Sequence, residues 1–524
     1  MPTRRLLAAF AATALVLGAC SDPSTAERTP TASDPIVLAT GGEPDTLNPV
    51  LGFGVDGASL IFDGLVSRDG QNNLVPALAA ELPAVSTDGR TVTAKLRPGV
   101  TFHNGTALTA EDVAFTYRSV LDPKVDSVLR SDLDMLTKVE ATDASTVVFT
   151  LKYAYAPFLQ RLTLGIVPAK ALQGQDINKA GFNQKPVGTG PYKVTSWTPG
   201  DRLVLAANDT YHGGKPANSG VIVAFVDDDN VRAQRARAGE FDAAELAPKL
   251  ATTFAGFTVQ RVPSADYRGM MLPFGRPVTG DTAIRQALNV AVDRGAMVKG
   301  VLGGAGEPAF GPVPPNSPFA EPSVAGNTAA DTAEAGQLLD AAGWAPDGDG
   351  IRAKGSQRAA FTLMYPAGDS LRKELALAVV ADAKKAGIEI KLDGLTWDAI
   401  RPRMKADALI MGWGTPYDPD FISYKLFGSQ FAGEASYNPG HYNSPVADKA
   451  LQDGRDHADE ATRKQAYATF QKQLATDVPW VFLTYLQHTY VVRNGITGVT
   501  PRVEAHEHGV ENSLWWNVHT WTKR

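Results

Sequence analysis

Cys20 is the only cysteine in this chain of 524 residues. A single cysteine allows no internal disulfide and no cluster of thiolate metal ligands. The fold must therefore be held together by buried apolar cores. A chain of this length is too large for one compact core and is expected to form two or three lobes. Small-molecule sites commonly lie in clefts between such lobes.

The residues in front of Cys20 have the pattern of a secretory signal. Arg4 and Arg5 give a short basic start, and residues 6–17 form an apolar run that is too short to span a bilayer. The sequence Leu17-Gly18-Ala19-Cys20 resembles the lipobox of bacterial lipoproteins, in which the signal is removed and the cysteine sulfur carries a diacylglycerol. The resemblance implies a signal peptide at residues 1–19 and an exported protein, lipid-anchored through Cys20 on the outer face of the cell membrane. An ordinary signal peptide with a chance cysteine is the alternative.

Residues 20–34 are rich in Ser, Thr and Pro and are predicted to form a flexible tether. Removal of residues 1–19 takes away two arginines and no acid, so the formal charge falls from −6 to −8. This sign argues against a nucleic-acid partner and against a polybasic membrane face.

Helical and strand patterns alternate along the chain, which predicts an α/β fold. Residues 371–385 are predicted to be a helix closed by Gly387, and residues 408–412 form a continuous apolar run typical of a buried strand. In such sheets ligands bind beyond the carboxyl ends of the strands. The loop at residues 413–420 is therefore the best candidate binding loop.

Five residues of this loop are the predicted ligand contacts: Trp413, Thr415, Tyr417, Asp418 and Asp420. The two aromatic rings could cover a ligand, although either could instead pack between lobes. The two carboxylates could pair with an ammonium group in a dry cleft. Alternatively, Asp418 only shapes a turn before a proline, and Asp420 is a first-turn acid of the next helix.

The sequence gives no strong metal site. His506 and His508 have the spacing of neighbours on one strand face, but two histidines near a C-terminus are more often exposed to solvent. The sequence Asp347-Gly348-Asp349-Gly350 lacks the acids of a calcium loop and is predicted to be a hairpin turn. No metal and no cofactor is therefore predicted.

Several segments together resemble the extracellular solute-binding proteins of family 5, the oligopeptide, dipeptide and nickel class. They follow one another in the expected order at residues 76–79, 88–89, 96–105, 108–113, 187–192, 284–289, 293–294, 338–339, 342–344 and 442–445. The resemblance covers nearly all of the chain after the signal.

The resemblance implies a two-lobed periplasmic-binding-protein-like α/β fold with an extra subdomain. Lobe I would comprise residues 35–75, 185–270 and 490–524, the extra subdomain 76–184, and lobe II 271–489. Two strands near residues 268–272 and 486–491 would cross between the lobes and act as a hinge that closes around the ligand.

The same resemblance implies a monomeric binding protein, not an enzyme, that delivers a small solute to an ABC permease with its ATPase subunits. Trp413 and Tyr417 resemble the nickel branch of the family, but the arginines of that branch have no clear counterpart, and Arg130 is only a loose candidate. Peptide binders of the family place an aspartate at a position that corresponds to Thr415 or Pro416 in this chain. The nearest acids here, Asp418 and Asp420, are slightly displaced from that position.

The resemblance leaves the ligand open among these possibilities. A peptide is the first prediction, and nickel or another metal held by a chelator is the alternative. An extracytoplasmic hydrolase is the least favoured function, because the chain contains no Gly-x-Ser-x-Gly elbow and no His-Glu-x-x-His motif, and only a carboxylate pair brought together by the fold, as in glycosidases, is left open.

Overall fold

The computed structural model describes residues 34–54, 57, 59–252, 254–433, 437–506, 510 and 513–524. Cys20, the signal at residues 1–19, the tether up to residue 33 and His508 lie outside the described residues.

The regular elements are numbered in chain order. The strands are β1 Ile36–Thr40, β2 Val66–Arg68, β3 Leu74–Pro76, β4 Ala84–Val85, β5 Thr91–Lys95, β6 Leu136–Ala141, β7 Thr146–Leu151, β8 Tyr192–Thr198, β9 Arg202–Ala207, β10 Gly220–Phe225, β11 Ala243–Glu245, β12 Phe257–Met271, β13 Gly306–Pro308, β14 Ala345–Pro346, β15 Arg352–Lys354, β16 Gln357–Arg358, β17 Ala360–Pro366, β18 Glu389–Leu395, β19 Ala408–Trp413, β20 Trp480–Arg493, β21 Ile496–Thr497 and β22 Thr522–Lys523. The α-helices are α1 Ala110–Leu121, α2 Phe158–Arg161, α3 Ala169–Leu172, α4 Asp229–Arg237, α5 Thr282–Ala291, α6 Arg294–Gly300, α7 Thr332–Ala341, α8 Ser370–Lys385, α9 Trp397–Ile400, α10 Asp420–Phe427, α11 Pro445–Asp456 and α12 Glu460–Asp477.

Short-range sequence signals explain where many of these elements begin and end. Helix α8 starts at the carboxylate of Asp369, which accepts a hydrogen bond from the Arg372 amide at 2.8 Å. The chain leaves α8 through Gly387, whose φ of 81° favours glycine. The helix predicted over residues 371–385 and the buried strand predicted over residues 408–412 are thus confirmed.

One long sheet runs through the molecule and is shared by both lobes. Within the described residues it has 11 strands in the order β18-β17-β19-β12-β20-β11-β1-β10-β9-β8, with β13 added beside β20. Strands β12 and β20 lie at its centre, are 15 and 14 residues long, and pair with each other from end to end. The two-lobed α/β fold with two crossing strands is therefore confirmed.

The ladder between β12 and β20 is interrupted at its middle. Pro263 pairs with Gln487, but the next pair is Tyr267 with Tyr485, so residues 264–266 leave the ladder. They pair instead with the C-terminal segment, where the Ala265 amide donates to the Glu504 carbonyl at 2.8 Å. A break of this kind is a natural point for the two halves of the sheet to move relative to each other.

The apolar cores divide the molecule at this break. One cluster joins β1 of lobe I to the four-stranded sheet β4-β5-β7-β6 of the extra subdomain, and it includes Leu38 and Phe149. Lobe II has its own clusters, one around Leu288 and Val379 and another around Phe470. We keep the names of the predicted ranges: the residues assigned to the extra subdomain pack onto those assigned to lobe I, whereas the residues assigned to lobe II have separate cores.

The turn at residues 347–350 and the boundary between α5 and α6 both follow local sequence signals. The turn predicted at residues 347–350 is confirmed, since the Asp347 amide donates to the Ile351 carbonyl at 2.9 Å between β14 and β15. Asp281 caps α5, which ends at Ala291. Gly295 lies in the first turn of α6, because Asp293 caps a second helix.

No helix in the part of the chain that the structure describes combines the length and the apolar character needed to cross a membrane.

Candidate functional site

A small cavity lies between the extra subdomain and lobe II. Its volume is about 200 Å³, and it is lined by Asp132 and Arg161 from the extra subdomain, by Trp413 and Thr415 from lobe II, and by His506 from the C-terminal segment. We call it the Trp413 cavity. It lies beyond the carboxyl end of β19, where the alternation of helices and strands predicted a site.

Trp413 forms one wall of this cavity. Its ring centroid lies 6.4 Å from Tyr437 and 5.8 Å from His506. Its indole Nε1 is buried and has no hydrogen-bond partner among the described residues, so it is a donor that a ligand could use. The next residue, Gly414, has φ of 150°, and a Cβ there would lie 1.9 Å from the Ala265 carbonyl oxygen. Only glycine lets the loop approach the hinge this closely.

The predicted loop residues do not all face the cavity. Thr415 lines it, and its Oγ1 accepts a hydrogen bond from the Tyr417 amide at 3.2 Å. Tyr417 is not among the lining residues. Its ring lies beneath the Arg68 guanidinium at 3.6 Å. Tyr417 therefore packs between lobe II and lobe I, which is the alternative foreseen for one of the two aromatic residues.

The carboxylates of Asp418 and Asp420 are paired inside the protein. Asp418 is 1% exposed and accepts from Arg463 Nη2 at 2.6 Å. Burial raises the pKa of Asp418, and the Arg463 guanidinium offsets part of that rise. Asp420 is 3% exposed and accepts from Tyr155 Oη at 2.5 Å and from Arg455 Nη1 at 3.3 Å. Neither residue lines the Trp413 cavity, so the geometry does not support the ammonium-binding role expected of them.

Arg161 is a lining residue that the sequence did not reveal. Its guanidinium lies 3.7 Å above the Phe421 ring, and Nη2 is 3.9 Å from the Asp132 carboxylate. Burial alone would lower the pKa of Arg161, but the neighbouring Tyr155 and Asp132 reverse that effect and raise it. The side chain therefore remains a cation. Arg130, the loose candidate from sequence, turns away and donates from Nη2 to the Asp122 carbonyl at 2.9 Å.

His506 was expected to be exposed, and this expectation was wrong. Its side chain is 20% exposed, and Nδ1 lies 2.7 Å from Asp266 Oδ1. The His506 amide also donates to the Gly414 carbonyl at 3.0 Å, which fixes the C-terminal segment against the binding loop. Burial lowers the pKa of His506, with Asp266 opposing, so the ring is neutral at neutral pH.

The neutral tautomer of His506 follows from this contact. Because Asp266 accepts from Nδ1, the proton of the neutral ring lies on Nδ1. A carboxylate behind a histidine is the usual support of a metal-binding imidazole. Across the described ranges, however, no three His, Cys, Asp or Glu side chains are grouped so that they could hold a metal ion by themselves.

A second cavity, of about 650 Å³, lies between lobe I and lobe II at the hinge. We call it the hinge cavity. Arg268 and His488 form its buried part, and half-buried Asp229 and Asp369 face it from opposite lobes. Arg268 is 4% exposed, and its Nε has no hydrogen-bond partner within the described part of the chain.

Asp266 connects the two cavities. Its carboxylate bonds His506 of the Trp413 cavity through Oδ1 and His488 of the hinge cavity through Oδ2, at 3.3 Å in the latter case. Burial alone would raise the pKa of Asp266, but Arg268 and the two histidines more than reverse this and hold it well below its usual range. Burial alone would lower the pKa of His488, but its hydrogen bonds to Asp266 and Glu504 raise it to about 10.

Comparisons with known proteins agree with this architecture. The family model described as "Bacterial extracellular solute-binding proteins, family 5 Middle" matches residues 73–434. Protein XP55 of Streptomyces lividans is 49% identical over 476 residues, which cover 90% of this chain and 87% of that protein.

Two solved structures are similar over almost their whole length. NikZ from Campylobacter jejuni in complex with Ni(L-His) is 30% identical, with a TM-score of 0.86 over 94% of this chain and 100% of that one. The oligopeptide-binding protein AppA from Bacillus subtilis in complex with a nonapeptide is 27% identical, with a TM-score of 0.80 over 95% of this chain and 100% of that one.

Proteins of this group bind peptides or other small solutes outside the cytoplasm and work with ABC permeases. The relatives are binding proteins rather than enzymes. The chain belongs to the bacterial extracellular solute-binding proteins of family 5.

Proposed function

We propose that this solute-binding protein captures a metal ion held by a small carboxylate-bearing chelator and delivers it to an ABC permease. The observation that carries the proposal is His506, a neutral imidazole beneath Trp413 with the Asp266 carboxylate behind it. In this arrangement His506 Nε2 supplies one ligand to the metal, and Asp266 fixes the ring orientation and strengthens the imidazole as a donor.

The rest of the cavity suits the chelator. Arg161 is a half-buried cation that can pair with a carboxylate, and the Nε1–H of Trp413, which has no partner among the described residues, can donate a further hydrogen bond. Since no cluster of three or more ligating side chains occurs among the described residues, the chelator has to supply most of the metal's ligands. A volume of about 200 Å³ suits one or two amino-acid-sized chelators better than a long peptide.

The comparison with NikZ supports the same order of candidates. That protein was crystallised with nickel bound to L-histidine, an amino-acid chelator of the size that the Trp413 cavity can hold.

Calorimetric titration tests the proposal. The protein is titrated with nickel alone, with L-histidine alone and with both together, and we expect a saturable signal at one site only for the mixture. Trp413→Ala should weaken this binding about tenfold, on the order of 1.4 kcal/mol, without unfolding the protein. The proposal is overturned if chelated nickel gives no heat while short peptides bind.

A short peptide is the second candidate, and it was the first prediction from sequence. The hinge cavity supports it through its volume of about 650 Å³ and through buried Arg268, whose guanidinium can hold a carboxylate. Di- to pentapeptides in the same titration test this candidate. Arg268→Lys keeps the charge but loses the planar fork, so it should weaken peptide binding and spare chelate binding. No heat with any peptide would rule the second candidate out, and equal peptide affinity of the native protein and Arg268→Lys would show that Arg268 does not hold the peptide.

We further propose that the mature protein is a monomer anchored through a lipid on Cys20. The proposal rests on the lipobox-like sequence before Cys20 and on the tether that follows it. Partition of the full-length product into detergent, and its loss in Cys20→Ser, would support the anchor. Equal partition of both forms into the aqueous phase would contradict it.

A further inference from the structure

Lobe II meets the extra subdomain mainly through polar contacts. The apolar cluster of the extra subdomain continues into lobe I, whereas the clusters of lobe II contain no residue of the extra subdomain among the residues described. Lobe I and the extra subdomain therefore form one body and lobe II forms the other. The side-chain contacts that bridge these two bodies are broken when the cleft opens.

The most buried bridge is centred on Asp420 at the start of α10. One carboxylate oxygen accepts from Tyr155 of the extra subdomain at 2.5 Å, and the other accepts from Arg455 of α11 at 3.3 Å. Tyr155, Asp420 and Arg455 are 3%, 3% and 4% exposed. All three polar groups are thus removed from water in the closed form.

Arg455 extends the bridge towards the extra subdomain. Its Nη2 lies 3.4 Å from both Asp134 Oδ1 and Tyr153 Oη, and its backbone carbonyl accepts from the Ala156 amide at 3.3 Å. Its guanidinium also lies 3.8 Å from the ring centre of Tyr424. A buried arginine with this many fixed partners is held in one orientation.

A second bridge starts one turn further along α10. Lys425 is 5% exposed, and its Nζ donates to Ser131 Oγ at 2.6 Å and pairs with Asp132. Asp132 also lines the Trp413 cavity, so this bridge closes the cavity directly.

Asp418 provides the contrast. It lies two residues before Asp420 and is equally buried, but its partners Arg463 and Tyr467 both belong to α12 of lobe II. Its ion pair is therefore made within one body and does not depend on whether the cleft is open or closed.

We propose that Tyr155, Asp420 and Arg455 form a latch that holds lobe II against the extra subdomain and keeps the cleft closed. In the open form Asp420 and Arg455, which both belong to lobe II, stay paired and regain water, whereas in the closed form they lose that water and Tyr155 donates to Asp420 from the extra subdomain. The latch sets the balance between open and closed states whichever solute is bound, so it goes beyond the proposed function.

Spin-label distances in the solute-free, full-length protein test the latch. Leu82 in the extra subdomain and Leu377 in lobe II are 45% and 49% exposed, which makes them suitable positions for labelled cysteines. Because Cys20 is the only native cysteine, Cys20→Ser gives a background without competing thiols. The distance distribution between Leu82→Cys and Leu377→Cys is measured in this background, in Asp420→Asn, in Tyr155→Phe and in the matched control Asp418→Asn.

We expect Asp420→Asn to shift population towards the longer distance and Tyr155→Phe to do so to a smaller extent. Asp418→Asn should keep the distribution of the background protein. Unchanged distances in both Asp420→Asn and Tyr155→Phe overturn the latch, and so does an equal shift in Asp418→Asn. If Asp420→Asn does not fold, the distances in Tyr155→Phe alone decide whether the latch holds the cleft closed. None of these outcomes depends on metal or peptide binding, so failure of the latch is distinguishable from failure of the proposed function.

Discussion

At the Trp413 cavity, lobe II meets the extra subdomain through side chains such as Asp420 and Arg455 that are at most 4% exposed. At the hinge cavity, lobes I and II are joined by the ion pair of Lys249 and Glu374, whose side chains are 48% and 42% exposed. An exposed pair contributes about 0–1 kcal/mol, whereas breaking one partner of a buried pair costs roughly 3–5 kcal/mol. The difference indicates that closure is held on the Trp413 side and that the hinge side opens easily.

The largest expected effect on stability is that of Asp418→Asn, which leaves Arg463 buried without its carboxylate in every state of the folded protein. We expect the free energy of unfolding to fall by roughly 3–5 kcal/mol, measured by urea unfolding. Asp420→Asn should cost less, because opening of the cleft lets water reach Arg455. If the free energy of unfolding falls more in Asp420→Asn than in Asp418→Asn, opening of the cleft does not relieve the unpaired Arg455.

The next effect concerns binding on the Trp413 side. His506→Ala removes the imidazole that faces the cavity, and we expect the affinity for chelated nickel to fall about 100-fold, on the order of 2.7 kcal/mol. Calorimetric titration measures the change. His441→Ala, in an exposed loop, is the matched control and should bind as the native protein does. If the two variants bind equally well, His506 is not a metal ligand.

A further effect on stability is expected from pH at the hinge. The pKa of His488 is raised from 6.5 to about 10 by Asp266 and Glu504, despite burial. The stability that this protonated ring contributes is complete below pH 6.5 and is lost as the pH rises towards 10. The free energy of unfolding should therefore fall across this range, by at most about 1.4 kcal/mol per pH unit.

Urea unfolding at several pH values, with His488→Gln as the comparison, measures this dependence. The variant should show a flatter profile between neutral pH and pH 10. Parallel profiles would show that His488 is not protonated in the folded protein.

The smallest effect is expected at the exposed pair. Lys249→Met should change the free energy of unfolding by less than about 1 kcal/mol, and the small change should shrink further in high salt. Its spin-label distances should match those of the background protein. A shift towards the open form as large as that of Asp420→Asn would show that the hinge side holds the cleft closed as well.

Much of the fold could be predicted because its signals are local. The cap at Asp369 and the terminating Gly387 indicate helix α8, and a continuous apolar run indicates β19. The candidate loop was also found, since it follows a buried strand, and two of its residues, Trp413 and Thr415, line a cavity.

The roles of the charged residues could not be predicted, because they depend on partners that are distant in sequence. Asp420 meets Tyr155 across 265 positions, and His506 meets Asp266 across 240. An acid next to a proline gives no sign of which arginine will fold against it. The sequence therefore identified a loop that reaches the cavity, but it gave ligand-binding roles to two aspartates that pair inside the protein, expected His506 to be exposed and did not reveal Arg161.

The central claim is that a chelated metal binds beneath Trp413 with His506 as its one protein ligand. Crystals grown with nickel and L-histidine test it most directly, through an anomalous difference map at the nickel absorption edge. We expect one strong peak in the Trp413 cavity, next to His506 Nε2 and within reach of the chelator carboxylate that Arg161 holds. A nickel peak elsewhere on the protein, or an occupied hinge cavity with no metal near His506, would contradict it.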